Sequence, residues 1–475
     1  MPLSLPRIVV IGAGFSGTVT AVQLARQAHA AAQPVHITLL HPTPRIGRGL
    51  AYQFDNDNLL LNVPAGNMSA LPEVPAHFVA YCQAIDPALS AQSFVPRRLY
   101  GCYVEDVLAQ TQRAHPSWLH TQMGCAVEVR PGQGGSAWQV VLASGDVLAA
   151  DHVVWAIGHQ ASTLPAVCAP LAPLPGAVLD PWDFAALARL PAHQPVVVLG
   201  SSHTAIDALF CLTQAQPERP VILLSRHGLL PHSHRPHTAA PQWSELPDYL
   251  QAVPRTVRAL MRAVRKAVNQ AYMMGVNWRD VLNALRPHTP ALWQELPLTE
   301  QQRFTRHVQA YWDVHHHRLA PLAAQRLQGL LQSGQVRVIA GRIHTARSGP
   351  DGVQLQVQPR GGGALQQLSA SALVNCTGPS TQLPRCQHPL VQQGLQQGWL
   401  QPDGLGLGIR VAAGYQLLGR EGQAIAGQWY IGPWLRAQHW EATAVPELRV
   451  HAQQLAQAIS QEVAAARGKT LVAVA

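Results

Sequence analysis

The chain opens on an unbroken apolar run, Ile8 to Ile11, that breaks at Gly12-Ala13-Gly14-Phe15-Ser16-Gly17. A short β-branched run of this kind predicts a central strand buried on both faces. From Thr18 to Ala30 the apolar positions fall at helical spacing, so the opening reads strand, G-x-G-x-x-G turn, helix. Val35 to Leu40 is the second strand, and Pro96 opens a helix to about Arg113, with proline suited to a first turn. Trp118 to Trp155 holds short β-like runs with turns at Gly132–Gly135 and Gly145-Asp146, then an apolar strand, Val153 to Gly158. The opening pattern then returns. Pro195 to Asp207 carries a valine-rich strand into Gly200 and a helix from near Thr204, and Val221 to Leu224 is a further strand. Residues 241–332 change character, with helices predicted at Arg255–Tyr272, Trp278–Leu285, Thr299–Trp312 and Leu319–Leu331. From Val336 β patterning resumes: a hairpin over 352–370 around Gly361–Gly363, strands at Ala372–Pro379 and Gln428–Gly432, and a last helix over Glu441–Ala464.

The pattern predicts an α/β chain with two Rossmann-like dinucleotide-binding domains, a β-meander and a helical insertion. The expected division is 1–165 for the first part of an FAD domain, 190–372 for an NAD(P)H domain with its insertion at about 241–332, and 373–475 for the second part of the FAD domain. The glycines of the first turn differ in what they permit. Gly12 allows the tight turn, Gly14 admits a pyrophosphate to the backbone, and Gly17 permits close helix–strand packing. The phosphates then lie on the unpaired N–H groups and positive end of the helix, with Phe15 and Ser16 in its first turn. In the second turn the middle glycine is Ser202 and the last is Ala205, both small. Arg226, at the end of the strand that follows, suits the 2′-phosphate of NADPH.

One departure and two loops stand out. His41 occupies the end of the second strand, where an acidic residue ordinarily accepts from the adenosine ribose, so either the ribose is held otherwise or affinity is reduced. The segments around Gly47-Arg48-Gly49 and Leu59–Ser69 are Gly- and Pro-interrupted loops of the kind that carry function on a rigid scaffold. There Asn62, Asn67 and Ser69 offer hydrogen bonds to a planar ring and Met68 a packing surface, beside Val63.

At 475 residues, 47% hydrophobic and 12% charged, the chain has ample material for a large core and none of the composition of a disordered segment. A formal charge of +9 is spread as dispersed arginines; only Arg258 to Lys266 gathers cations, at the spacing of a solvated helix face. Anionic cofactors and substrates account for this balance, and neither nucleic acid nor membrane is expected as a partner. The seven cysteines form no C-x-x-C pair, the first strand starts at residue 7, and no apolar run spans a bilayer, so a reducing cytoplasm is expected. Histidines crowd at His232, His234 and His237 and at His315–His317. Three consecutive residues of a regular segment do not converge on one ion, and no metal site is expected.

Taken together, GRGLAY with LLNVPAGNMS, FVPRRLYGCY, the H-x-H-R segment His232–Arg235, WDVHHHRLAP at 312–321, LVNCTGP, and HWEATAVPELR at 439–449 resemble one family. It is the bacterial family of FAD/NAD(P)-binding proteins that contains L-aspartate N-monooxygenase-like enzymes, within the two-dinucleotide flavoprotein superfamily. The resemblance implies that Gly12, Gly14, Ser16 and Gly17 bind FAD phosphates, that Asn62–Ser69 line the flavin, and that Gly200, Ser202 and Arg226 face NADPH. Gly158 and Gly378 end the two strands that lead between the domains, and Gly432 and Thr443 approach the flavin. It implies an NADPH-dependent flavin monooxygenase that N-hydroxylates a small amine or amino acid through a C4a-hydroperoxyflavin. For an amino acid a carboxylate clamp is needed, with Arg235 and Arg318 as candidates. A flavin-dependent NAD(P)H reductase or dehydrogenase without oxygen transfer, and a dinucleotide-binding protein without catalysis, share the same two motifs.

Overall fold

Arg7–Ile11 becomes a central strand because both of its faces are covered. It pairs in parallel with His36–His41 on one side and His152–Trp155 on the other, and Ile8–Ile11 are buried. The computed structural model describes residues 5–133, 135–235, 245–350 and 352–474, with side chains to residue 467. Gly134, His237 and the expected start of the helical region at 241 lie outside the described residues.

Two sheets organise the chain. The first has six strands in the order 416–418, 424–430, 152–155, 7–11, 36–41 and 119–123. The second has seven, in the order 366–370, 352–359, 336–349, 221–225, 196–199, 372–375 and 178–179. It is therefore drawn from either side of the 190–372 segment, because 178–179 and 372–375 both pair into it. A separate meander of three antiparallel strands covers 126–131, 138–142 and 147–150. The predicted alternation of strand and helix thus yields two doubly wound units.

The helix Phe15–Ala30 is buried along most of its length because it is sandwiched between the first sheet and the terminal helix, Val445–Val474. That helix begins four residues after the predicted Glu441, since residues 441–443 form a turn. Thr299–Trp312 is likewise two helices, Leu298–His307 and Gln309–His316, broken at Val308. Pro321 stands at the first position of Pro321–Gln332. The apolar residues before it extend instead, and Leu319 bridges Ser233.

The two units are joined by polar and aromatic contacts. Arg97 meets Asp207 at 2.8 Å with both side chains nearly buried. Asn56 and Asn58 donate to Gln214. Phe54 stacks on Trp182, with ring centroids 5.4 Å apart. Among the described residues no helix is long and apolar enough to cross a membrane.

Candidate functional site: two nucleotide loops and the histidine–arginine cluster between them

The same turn is built twice. Gly12 lies at φ +102°, and a Cβ there would stand 2.4 Å from the carbonyl oxygen of Ala156, just past the neighbouring strand. Gly200 lies at φ +135°, and its Cβ would stand 2.4 Å from the oxygen of Cys376, at the same place in the second sheet. Both amides bond across the sheet, Gly12 to the Leu40 carbonyl and Gly200 to that of Leu224. Only glycine tolerates this backbone and this approach. At Gly17 a Cβ would fall 1.9 Å from the Gly12 oxygen, so this residue closes the helix onto the turn.

Gly14 differs in kind. Its φ of −75° is open to any residue, and an added Cβ would meet only the Cα of Gly49, at 3.6 Å. Neither folding nor strain demands glycine here, so the space above it is available to a ligand. The helix it begins has no side-chain cap and no acidic residue in its first turn, leaving the amides of Phe15, Ser16 and Gly17 to bind an anion. Gly47 and Gly49, both at positive φ, lay the GRGLAY segment against this loop, the Gly47 amide donating to Ala13 at 2.8 Å. Arg48 between them is held by Glu105 at 2.7 Å, and its Nη1 is buried without a hydrogen-bond partner. The sequence reading places Gly49 in a functional loop but gives it no role against the first turn, where its Cα faces Gly14. The signal for that role was the pair of glycines flanking an arginine.

Of the expected flavin-side residues, Met68 and Ser69 are buried, and the Ser69 hydroxyl is engaged by the Leu71 and Val74 carbonyls. Val63 is half-buried against the core and Asn67 is exposed. The Asn62 carbonyl accepts from His234 Nε2 at 3.0 Å. His41 is buried, with Nδ1 2.7 Å from the Thr43 carbonyl oxygen. Gly158 and Gly378 sit at positive φ in open surroundings at the start of two segments that pair at Gln160 and Ser380. Gly432, at φ +142°, lies below the Tyr430 hydroxyl, and Thr443 is in the turn before the terminal helix.

In the second loop Ser202 takes the place of Gly14 as the residue before the helix His203–Ala215, again without a side-chain cap. Arg226 is exposed at the strand end, and the turn after it is pinned by the Ser225 hydroxyl, which accepts from Ser201 and from the Gly228 amide. Burial, then Arg360, Arg226 and Arg342, lower the His227 imidazole, so three guanidiniums bear on this corner.

Between the loops lies a cluster that the sequence reading only half anticipated. Arg318 is 3% exposed; Nε donates to the His315 carbonyl and Nη2 to Asn283, while Nη1 has no partner. Burial and the guanidiniums of Arg279, Arg286 and Arg235 push it down to about 10. Arg235 is paired with Asp280 and Arg286 with Glu447, whereas Arg318 is in no ion pair among the described residues and keeps Nη1 unbonded, as Arg235 keeps Nε. The cluster is tied to its surroundings on every side. His203 Nε2, one residue beyond Ser202, is 3.0 Å from the His317 carbonyl, His234 reaches Asn62, and Arg286 reaches the first turn of the terminal helix.

The histidines divide. His232 packs on Trp278 and His315, away from His234. The expectation that consecutive histidines diverge holds for His315, which bonds Tyr311, and fails for the other two. His316 is the last residue of the helix and His317 its C-cap, with an extended ψ of 88°, so the two rings leave the helix in different directions from the one His315 takes. Both face Glu441, at 3.4 and 4.0 Å. Burial opposes the charge on Glu441, but His316, His317 and Arg286 hold its carboxyl below the ordinary range, at about 2. The result is a buried group of two imidazoles and a carboxylate beside the arginines.

Known proteins share this fold. The sequence model of an FAD-NAD(P)-binding family matches residues 9–160. No curated protein matches the chain. Among solved structures, ornithine hydroxylase PvdA from Pseudomonas aeruginosa is 14% identical with a TM-score of 0.65, over 96% of this chain and 99% of that one. This chain has the two-nucleotide flavoprotein fold. L-Lysine 6-monooxygenase from Pseudomonas syringae (17%, TM-score 0.65, 96% and 99% covered) shares it. So does ornithine N-hydroxylase KtzI of Kutzneria sp. 744, described with reduced FAD, NADP+ and L-ornithine (13%, 0.64, 97% and 100%).

Proposed function

We propose that this chain is an FAD- and NADPH-dependent monooxygenase that hydroxylates the nitrogen of a small amine or amino acid. The carrying observation is a buried, incompletely bonded Arg318 whose neighbours reach both units, His317 through His203 beside the second nucleotide turn and His234 through the Asn62 carbonyl. The residues fit the cofactors: Gly12, Gly14 and Gly17 make a cradle that a side chain would fill at Gly14, and Arg226 supplies a cation where a 2′-phosphate lies. FAD, reduced by NADPH, supplies the oxygen-activating chemistry. The chain's own residues bind, orient and exclude water. Arg318 clamps a substrate carboxylate through Nη1, with Arg235 and Arg279 raising the local positive potential. His203 and His234 brace the two sides of the clamp through the His317 and Asn62 carbonyls. That the structural neighbours are named as ornithine and lysine hydroxylases supports the reaction class, and the surplus of arginine supports an acid-bearing substrate.

The test is a purified protein carrying flavin, incubated with NADPH and a panel of amines and amino acids that includes aspartate, with hydroxylamine detected directly. Stimulated NADPH oxidation with hydroxylamine formation is expected, and Arg318→Ala should raise KM for a carboxylate-bearing substrate far more than for a simple amine. NADPH oxidation without hydroxylamine across the panel supports the reductase reading. A colourless protein that takes up no FAD overturns both.

A further inference from the structure

The helical insertion does not close its core. Buried apolar side chains in and beside it fall into two groups, one around Leu250, Leu282, Leu285 and Leu292, the other around Val257, Trp293, Leu296 and, from the C-terminal segment, Trp440, with Leu260 and Trp312 packed against both. Between them lies a cavity of about 500 Å³, a volume within the range of small-molecule sites. Its walls are apolar and rich in tryptophan: Trp278, Trp293, Trp312 and Trp440 all line it. An unfilled apolar space of this size leaves its lining without dispersion partners, so an occupant would supply what the packing lacks.

The charge at its edge decides what kind of occupant. No carboxylate lines the cavity among the described residues, and its cation is Arg265, one helical turn from Asn269. Both residues also line a shallow recess on the outer face of the same helix, Val257–Met273, together with Arg262 and Lys266. That helix contains no acidic residue. An ammonium-bearing ligand finds no counter-charge here, whereas a carboxylate at the rim meets a guanidinium and an amide on adjacent turns. We propose that the insertion binds an aliphatic amphiphile with a carboxylate head, its chain among the tryptophans and its head at Arg265 and Asn269. The cavity adjoins the Arg318 cluster, since His232, His315 and Trp278 line it and the Arg318 guanidinium lies 5.7 Å from the Trp278 ring, but the head site at Arg265 and Asn269 does not depend on the proposed reaction.

The tryptophan walls supply the readout. Full-length protein is titrated with decanoate, decanol and decylamine while tryptophan fluorescence is followed, without NADPH or substrate. Decanoate is expected to change the emission saturably, decanol to bind at least about tenfold more weakly for want of a charge-assisted contact, and decylamine not to bind. Arg265→Glu should weaken decanoate by about tenfold or more and leave decanol unchanged. Leu282→Trp, which fills the cavity, should abolish both responses while cooperative thermal unfolding persists. If that variant does not fold, the exposed Arg265→Glu substitution still decides. Equal binding of decylamine and decanoate, decanoate binding indifferent to Arg265, or a response to phosphatidylglycerol vesicles but not to monomeric decanoate would each overturn the proposal.

Discussion

Replacing Gly14 with alanine separates what the fold needs from what the ligand needs. At φ −75°, with only the Gly49 Cα at 3.6 Å from the added methyl, the variant strains nothing. Its cost to the unliganded protein is at most about 1 kcal/mol, the scale of a changed helix N-cap. Gly17→Ala drives a methyl to 1.9 Å from the Gly12 oxygen, and Gly12→Ala sets one 2.4 Å from the Ala156 oxygen at φ +102°. Overpacking of this kind costs about 1–3 kcal/mol, and a left-handed backbone adds about 1–2 for an L-residue. At about 2–4 °C per kcal/mol, unliganded Gly12→Ala should melt some 5–15 °C below wild type, while Gly14→Ala stays within a few degrees. With FAD the order changes. The Gly14 methyl occupies the pyrophosphate's approach, and losing two charge-assisted backbone bonds, at about 1.5–3 kcal/mol each, weakens FAD by about two orders of magnitude or more. The assay is thermal unfolding of flavin-stripped protein with and without added FAD, alongside the flavin retained on purification. Wild-type FAD affinity in Gly14→Ala would refute the phosphate seat, and an unliganded melting point as low as that of Gly17→Ala would refute the steric argument.

Further outcomes follow from other parts of the structure. Arg97→Ala leaves the buried Asp207 carboxylate uncompensated and should destabilise by about 3–5 kcal/mol in denaturant unfolding, whereas Arg97→Leu with Asp207→Leu should cost clearly less. His152 is buried, accepts from the Trp429 indole through Nδ1 at 3.3 Å, and is pushed down to about 4 by burial. Its folded value lies below its unfolded value of 6.5, so its contribution is present above pH 6.5 and lost as pH falls towards 4, at about 1.4 kcal/mol per unit. His152→Gln, which keeps an acceptor, should flatten the melting temperature in that window, and an unchanged slope would count against the assignment. Arg226→Ala should reduce the preference for NADPH over NADH by roughly tenfold, the worth of one charge-assisted bond, with KM for NADPH as the readout.

What the sequence disclosed and what it hid follow from range. Ile8–Ile11 and Val196–Leu199 are buried on both faces, so their apolar runs announce strands without tertiary knowledge. The glycine turns declare themselves for the same local reason. Helix ends were misplaced where a turn or proline competes with periodicity, at Val308, Pro321 and Val445. The candidate site was legible in pieces. Arg235 and Arg318 were named, but Arg279 and Arg286 join them only through the packing of the insertion, and spacing does not report that. The convergence of His316 and His317 on Glu441 joins positions more than a hundred residues apart, and it falls where the helix ends at His316.

The contacts between the two units bear on how turnover is organised in time. Swinging one unit against the other would part Arg97 from Asp207, unstack Phe54 from Trp182 and strip His234 from the Asn62 carbonyl. The first of these exposes two charges in a half-formed gap, a barrier that a rapid cycle would meet at every turn. These contacts hold the two units as one frame. Under the proposed reaction, exchange of reductant for substrate would fall to the bound molecules, within a frame that stays closed.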